Sequence, residues 1–151
     1  MRIKVDDLTH PQVVDLLREH LRCMALASPP ESIHALDLNG LRQTSVTFWT
    51  IWDGDKLAGC GALKELDPAH AEIKSMRTSY DYQRQGVART MLHHLIDQAR
   101  QRGYRRVSLE TGATEYFEPA RKLYAGFGFE FCAPFGSYVE DPNSNFMTLV
   151  L

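Results

Sequence analysis

The chain has 151 residues, 44% hydrophobic and 24% charged, enough for one domain spanning 1–151 with a sizeable core, and its composition excludes disorder and collagen-like repeats. Seventeen Lys and Arg against nineteen Asp and Glu leave a net charge of -2, so bulk electrostatics point to no nucleic-acid and no membrane partner. Cys23, Cys60 and Cys132 are odd in number and have no C-x-x-C spacing, and no apolar run forms a secretory signal or a bilayer span. A reducing, cytoplasmic setting is expected.

Ile3 and Val5 alternate with charges and predict a short strand. Thr9 is the expected N-cap of a helix with Pro11 just inside it and an apolar face of Val13, Leu16, Leu17 and Leu21. Ser28-Pro29-Pro30 ends that helix, and a second, short helix is expected from Pro30 to a close at Gly40, carrying Ile33, Leu36 and Leu38. Thr44–Asp53, Leu57–Leu66 and Ala71–Ser79 predict a three-strand meander, turned at Asp53-Gly54 and Asp67-Pro68. Gly59 and Gly61 inside it suggest a bend or a close backbone approach. An amphipathic helix from Val87, ended by Gly103, a strand at Val107–Thr111 and a helix at Glu115–Ala125 follow. Phe129–Phe135 and Phe146–Leu151 predict the last strands. The order is β-α-α-β-β-β-α-β-α-β-β, an α/β (α+β) fold with a mixed, mostly antiparallel central sheet and helices on both faces.

The segment Arg84-Gln85-Gly86-Val87-Ala88-Arg89 stands where a strand has ended and a helix begins. The first turn of a helix offers backbone N–H groups without internal partners at the positive end of its dipole. A glycine there admits a phosphate, so 84–89 is a candidate diphosphate cradle; a plain helix start is the alternative. No P-loop and no G-x-G-x-x-G is present.

Gln83-Arg84-Gln85-Gly86-Val87-Ala88 resembles the Q/R-x-x-G-x-G/A loop of the GNAT superfamily of acyl-CoA-dependent N-acetyltransferases. The strand Ile73–Thr78 running into the loop, the length of the next helix, and Ala120–Phe129, similar to A-x-x-L-Y-x-x-x-G-F, extend the resemblance over the chain. It implies acetyl-CoA as co-substrate. Its pantetheine arm would lie against the backbone of Met76, Arg77 and Thr78, in an opening between a bulged strand and the strand after the helix. Its pyrophosphate would lie on N–H groups of Arg84–Arg89. The Arg77 side chain is expected to be solvated. Tyr124 matches the family tyrosine that often protonates the departing CoA thiolate; continuing the apolar helix face is its other reading. Where many relatives carry a cofactor-contacting Asn, this chain has Phe117, which packs on the pantetheine arm or joins the core.

Glu72 and Glu110 are candidate general bases, directly or through water; each is otherwise a solvated or salt-bridged strand residue, and Glu72 can pair with Lys74. The six histidines show no metal-binding spacing, so no metal is expected. Ser28–Arg42 and Phe135–Asn145, the latter with exposed aromatics, are candidate acceptor-specificity loops or a homodimer surface. The expected activity is direct acetyl transfer to a primary amine of a small molecule or amino acid. The alternatives are a non-catalytic acyl-CoA sensor and a protein-interaction subunit on the same fold.

Overall fold

The computed structural model describes residues 1–151. In chain order the elements are β1 (Arg2–Val5), α1 (Pro11–Ala27), α2 (Leu38–Leu41), β2 (Val46–Asp53), β3 (Lys56–Asp67), β4 (His70–Thr78), α3 (Val87–Gln101), β5 (Arg106–Gly112), α4 (Glu118–Gly126), β6 (Glu130–Cys132) and β7 (Ser144–Val150). The seven strands form one sheet in the order β1-β2-β3-β4-β5-β7-β6. Every neighbouring pair is antiparallel except β4 and β5, whose parallel relation follows from the α3 crossover between them. No helix is long and apolar enough to cross a membrane.

The sheet has a core on each face because its strands alternate. On one side, Trp49, Ile51, Leu63, Ile73, Val107 and Leu109 meet Val87, Met91, Leu92, Leu95, Ile96 and Ala99 of α3, with Tyr124 of α4. On the other, Phe48, Trp52, Cys60 and Ala62 meet Val13, Leu16 and Leu17 of α1 and Leu41 of α2. The close approach suggested by the strand glycines is real at Gly61: a Cβ there would lie 2.9 Å from Met91 and 3.0 Å from Met76.

Several boundaries differ from the sequence expectation, each for a local reason. The N-cap of α1 is His10, whose Nδ1 accepts from Gln12 N–H at 3.1 Å, while the Thr9 hydroxyl turns back to Asp7 at 2.6 Å. The expected helix from Pro30 to Gly40 is broken. A 3-10 turn covers Pro30–Ser32, residues 33–37 have no regular structure, and α2 restarts at Leu38 with Asp37 as N-cap, so Gly40 lies inside it. The helix expected from Glu115 begins as a 3-10 turn, Glu115–Phe117, with Pro119 in the first turn of α4. The strand expected over Phe129–Phe135 is only Glu130–Cys132, and Pro134 leads into the long connection to β7.

Two features of β4 shape the centre. A bulge places Ser75 and Met76 opposite Gly61 alone, with Cys60 facing Arg77 and Ala62 facing Lys74. Ser75 takes φ +54 to accommodate it. On its other edge, β4 pairs with β5 only through His70, Ala71 and Glu72. Beyond that point β4 follows β3 and β5 follows β7, so the two strands part.

Candidate active site

The parting of β4 and β5 opens a cleft of about 130 Å³. The ladder edge of β4 from Ile73 to Thr78 has no strand partner on this side. Met76, Arg77 and Thr78 therefore lie along a free backbone edge, and the Met76 side chain also lines the cleft and touches the core. At the open end of the cleft β4 passes through a 3-10 turn, Tyr80–Tyr82, into the start of α3.

Gly86 is the N-cap of α3 at φ +81, a conformation that favours glycine, and it offers no side-chain cap. Arg84 also adopts positive φ, +62. The N–H groups of Val87, Ala88 and Arg89 have no acceptor inside the helix. A Cβ on Gly86 would meet no protein atom, so the surface above it is open. Gln85 turns away, its amide donating to Asp81 O at 2.9 Å. Arg84 and Arg89 are exposed, Arg89 lying 5.3 Å over the Phe127 ring. Residues 84–89 thus present unpaired N–H groups and two cations to solvent.

Tyr124 of α4 and Phe117 form part of the opposite wall. Tyr124 is 7% exposed, and burial pushes its hydroxyl above the usual phenol range, so it is a protonated donor. Its hydroxyl makes no hydrogen bond within the protein, and its ring sits edge-on to Phe129 at 5.7 Å. Phe117 is both buried and part of the cleft: its ring occupies the space a Cβ on Gly112 would need.

The solvated reading of Arg77 is wrong. Its guanidinium is half-buried and donates to Tyr116 Oη and Cys23 Sγ, each at 3.2 Å, bridging the 3-10 turn before α4 to α1.

The two candidate bases face the α1 side of the sheet but have different surroundings. Glu72 is not solvated. It is 2% exposed, accepts from Lys74 Nζ at 3.2 Å and from Tyr138 Oη, and Lys74 also donates to Tyr138 Oη at 3.0 Å. Burial and the adjacent Glu72 carboxylate keep the Tyr138 phenol protonated. Glu110 forms no ion pair, and burial raises its carboxyl to about 7, with Ser144 and Lys74 opposing the shift and Glu72 and Asp141 reinforcing it. That value suits a group that must accept and release a proton near neutrality.

Tyr138 belongs to the long β6–β7 connection, whose aromatics are not free. Phe135, Tyr138 and Phe146 pack on one another with centroids 5.1 to 5.9 Å apart, and His34 sits edge-on to Tyr138 at 4.9 Å. Ser32 Oγ donates to Asp141 Oδ2 at 2.6 Å. The two expected specificity segments are therefore fastened together over the cleft. The sequence reading passed over Tyr138, His34 and Ser32 as individuals; their signal was their place in two irregular segments. It also passed over His20 of α1, which lines the cleft, 8% exposed, with Nδ1 unpartnered. Burial, reinforced by Arg77, lowers its pKa to about 4.

Known proteins resemble this chain in sequence and in fold. The acetyltransferase (GNAT) family model matches residues 13–129. YsnE, an uncharacterized N-acetyltransferase of Bacillus subtilis (strain 168), is 64% identical over 148 residues, 98% of either chain. YedL, an uncharacterized N-acetyltransferase of Escherichia coli (strain K12), is 50% identical over 149 residues, 99% of this chain and 94% of that one. The crystal structure of a Bacillus subtilis acetyltransferase in complex with CoA shares the fold, with a TM-score of 0.75 at 22% identity, over 99% of this chain and 98% of that one.

Proposed function

The chain belongs to the acetyltransferase (GNAT) family, and on that premise we propose that it moves an acetyl group from acetyl-CoA to a primary amine of a small molecule by direct transfer. The observation that carries the reading is the cleft between β4 and β5, which has a free strand edge on one wall and the unpaired Tyr124 hydroxyl on the other. The backbone of Met76, Arg77 and Thr78 would pair with the amide groups of the pantetheine arm as an added strand does. The N–H groups of 84–89 would take the pyrophosphate, aided by Arg84 and Arg89. Phe117 would pack against the arm.

In the transfer itself, the Glu110 carboxylate removes the proton of the acceptor ammonium. The freed lone pair attacks the thioester carbonyl carbon and forms the C–N bond. Collapse of the tetrahedral adduct breaks the C–S bond and expels the CoA thiolate. Tyr124 donates its proton to that sulfur, and the second nitrogen proton, released to water, is replaced on the phenolate from solvent. Burial keeps the Tyr124 phenol protonated, so its O–H stays available to the departing sulfur, while the same shift makes it a weaker acid than a free phenol. Glu72, held by Lys74 and Tyr138, positions the acceptor end instead of taking the proton. Direct transfer is favoured because no cysteine lines the cleft: Cys60 is fully buried with its thiol on Ser75 O.

The test is thiol release from acetyl-CoA with a panel of amines, background hydrolysis subtracted. Tyr124→Phe is expected to lower kcat by roughly ten- to a hundredfold, the worth of a hydrogen bond to a charged group. Its affinity for acetyl-CoA should stay within about twofold. Weakened binding with unchanged kcat at saturation would remove Tyr124 from the chemistry.

A further inference from the structure

The charge balance at the acceptor end of the cleft identifies a class of acceptor; the inference rests on the acetyl-transfer reading. Glu72 and Lys74 of β4 pair at 3.2 Å, with side chains 3% and 7% exposed, and Tyr138 hydrogen-bonds to both. This set is electrically neutral, and Lys74 is the only lysine or arginine lining the cleft. From α1, His20 is uncharged at neutral pH because it is buried. His34 turns its ring onto Tyr138. Asp141, at the edge, accepts from the Ser32 hydroxyl and from Asn143 N–H at 2.8 Å. Glu110 of β5 differs from all of these: it is half-buried, lines the same space, and has no cation beside it in an ion pair.

We infer that the acceptor is a primary amine with no carboxylate next to its amino group, because Glu110 is the one carboxylate lining the acceptor end of the cleft that lacks a cation, and the one cation lining that end, Lys74, already has its anion. The ammonium group of such an amine is the missing counter-charge of Glu110. An α-amino acid brings its own carboxylate to within two bonds of the amino nitrogen. That carboxylate would lose its water in a low-dielectric space, meet the field of Glu110, and find Lys74 already committed to Glu72. Discrimination of this kind works by opposing the wrong ligand as much as by attracting the right one.

The experiment measures thiol release from acetyl-CoA at pH 8, where an ordinary imidazole is neutral, with three matched pairs: phenethylamine and phenylalanine, ethanolamine and serine, agmatine and arginine. The amine of each pair is expected to exceed its amino acid in kcat/KM by about tenfold or more. Glu72→Gln leaves Lys74 without its carboxylate, so the ratio should fall by about tenfold in that variant as the freed cation receives the substrate carboxylate. Amino acids turned over as well as their amines by the unaltered protein would overturn the inference and leave acetyl transfer standing. An unchanged ratio in folded Glu72→Gln would overturn it as well. Silence with all three pairs, while calorimetry still registers acetyl-CoA binding, would overturn the acceptor class alone. Silence without acetyl-CoA binding would overturn both this inference and the reading of the cleft.

Discussion

The two ends of the cleft are built on opposite plans. At the open end, between Arg84 and Arg89, the candidate groups are backbone N–H groups at a helix start, exposed and held in place by the left-handed φ of one glycine. At the closed end, where β4 and β5 last touch, the groups are side chains from β4, β5, the segment after α1 and the β6–β7 connection, and they are buried or half-buried. On the proposed function, the difference follows from what each end would have to distinguish. A diphosphate is recognised by any well-aimed cluster of N–H groups. A small acceptor is recognised only by fixed charges and shape, and these need a packed surround.

This comparison is sharpened first at the open end. Gly86→Glu forces an L-residue into φ +81, at about 1–2 kcal/mol. It also places a carboxylate over the N–H groups. An acid at a helix start is favourable in itself, so the fold should persist. Acetyl-CoA affinity should nevertheless fall by roughly a hundredfold or more, since an anion would then oppose the pyrophosphate. Calorimetry on protein with an unaltered circular dichroism spectrum checks this, and undiminished affinity would move the phosphate site elsewhere.

Glu110→Gln probes the closed end with the next largest effect. With a pKa of about 7, kcat/KM of the unaltered protein should rise as pH increases through that value and level off above it. The variant should lose roughly a hundredfold in kcat/KM and also lose that limb of the profile. Stability should move in the opposite sense. The folded carboxyl binds its proton more tightly than the unfolded one, so this group's contribution to stability is lost as pH rises from the ordinary carboxylate range to about 7. Glu110→Gln should therefore melt higher than the unaltered protein at pH 8, and a lower melting point there would contradict the burial argument.

The smallest effect is expected where the closed end is merely fastened. Ser32→Ala removes the 2.6 Å hydrogen bond to Asp141. The amine KM should rise by about three- to tenfold, the range for a partly exposed hydrogen bond to a charged group, with acetyl-CoA affinity unchanged. If acetyl-CoA binding moved and the amine KM did not, the two ends would not be separable as described.

The legibility of the site divides along the same line. Residues 84–89 could be read as an anion cradle from the chain alone because a glycine, a helix start and flanking arginines are local facts. Phe117, Tyr124 and the strand edge at Met76–Thr78 were placed by resemblance to a family, and the structure brings them to one cleft. Glu72 and Glu110 could not be ranked from sequence. Both alternate inward on strands, and only their neighbours separate them: Lys74 and Tyr138 for one, no ion-pair partner for the other. Arg77 looked like a surface residue because a strand arginine normally is; the nearness of Cys23 and Tyr116 is a tertiary matter.

The amino-acid sequence by itself determined the element order, the apolar faces of α1 and α3, and the strand-to-helix loop. All of these are periodicities and turn preferences acting over a few residues. The tertiary structure decided where β4 and β5 part, that the helix expected from Pro30 to Gly40 breaks, and which carboxylate is left without a cation. Parting depends on each strand having a better partner on its other edge. The charge of a buried group depends on every element packed against it, and distance along the chain carries no record of that.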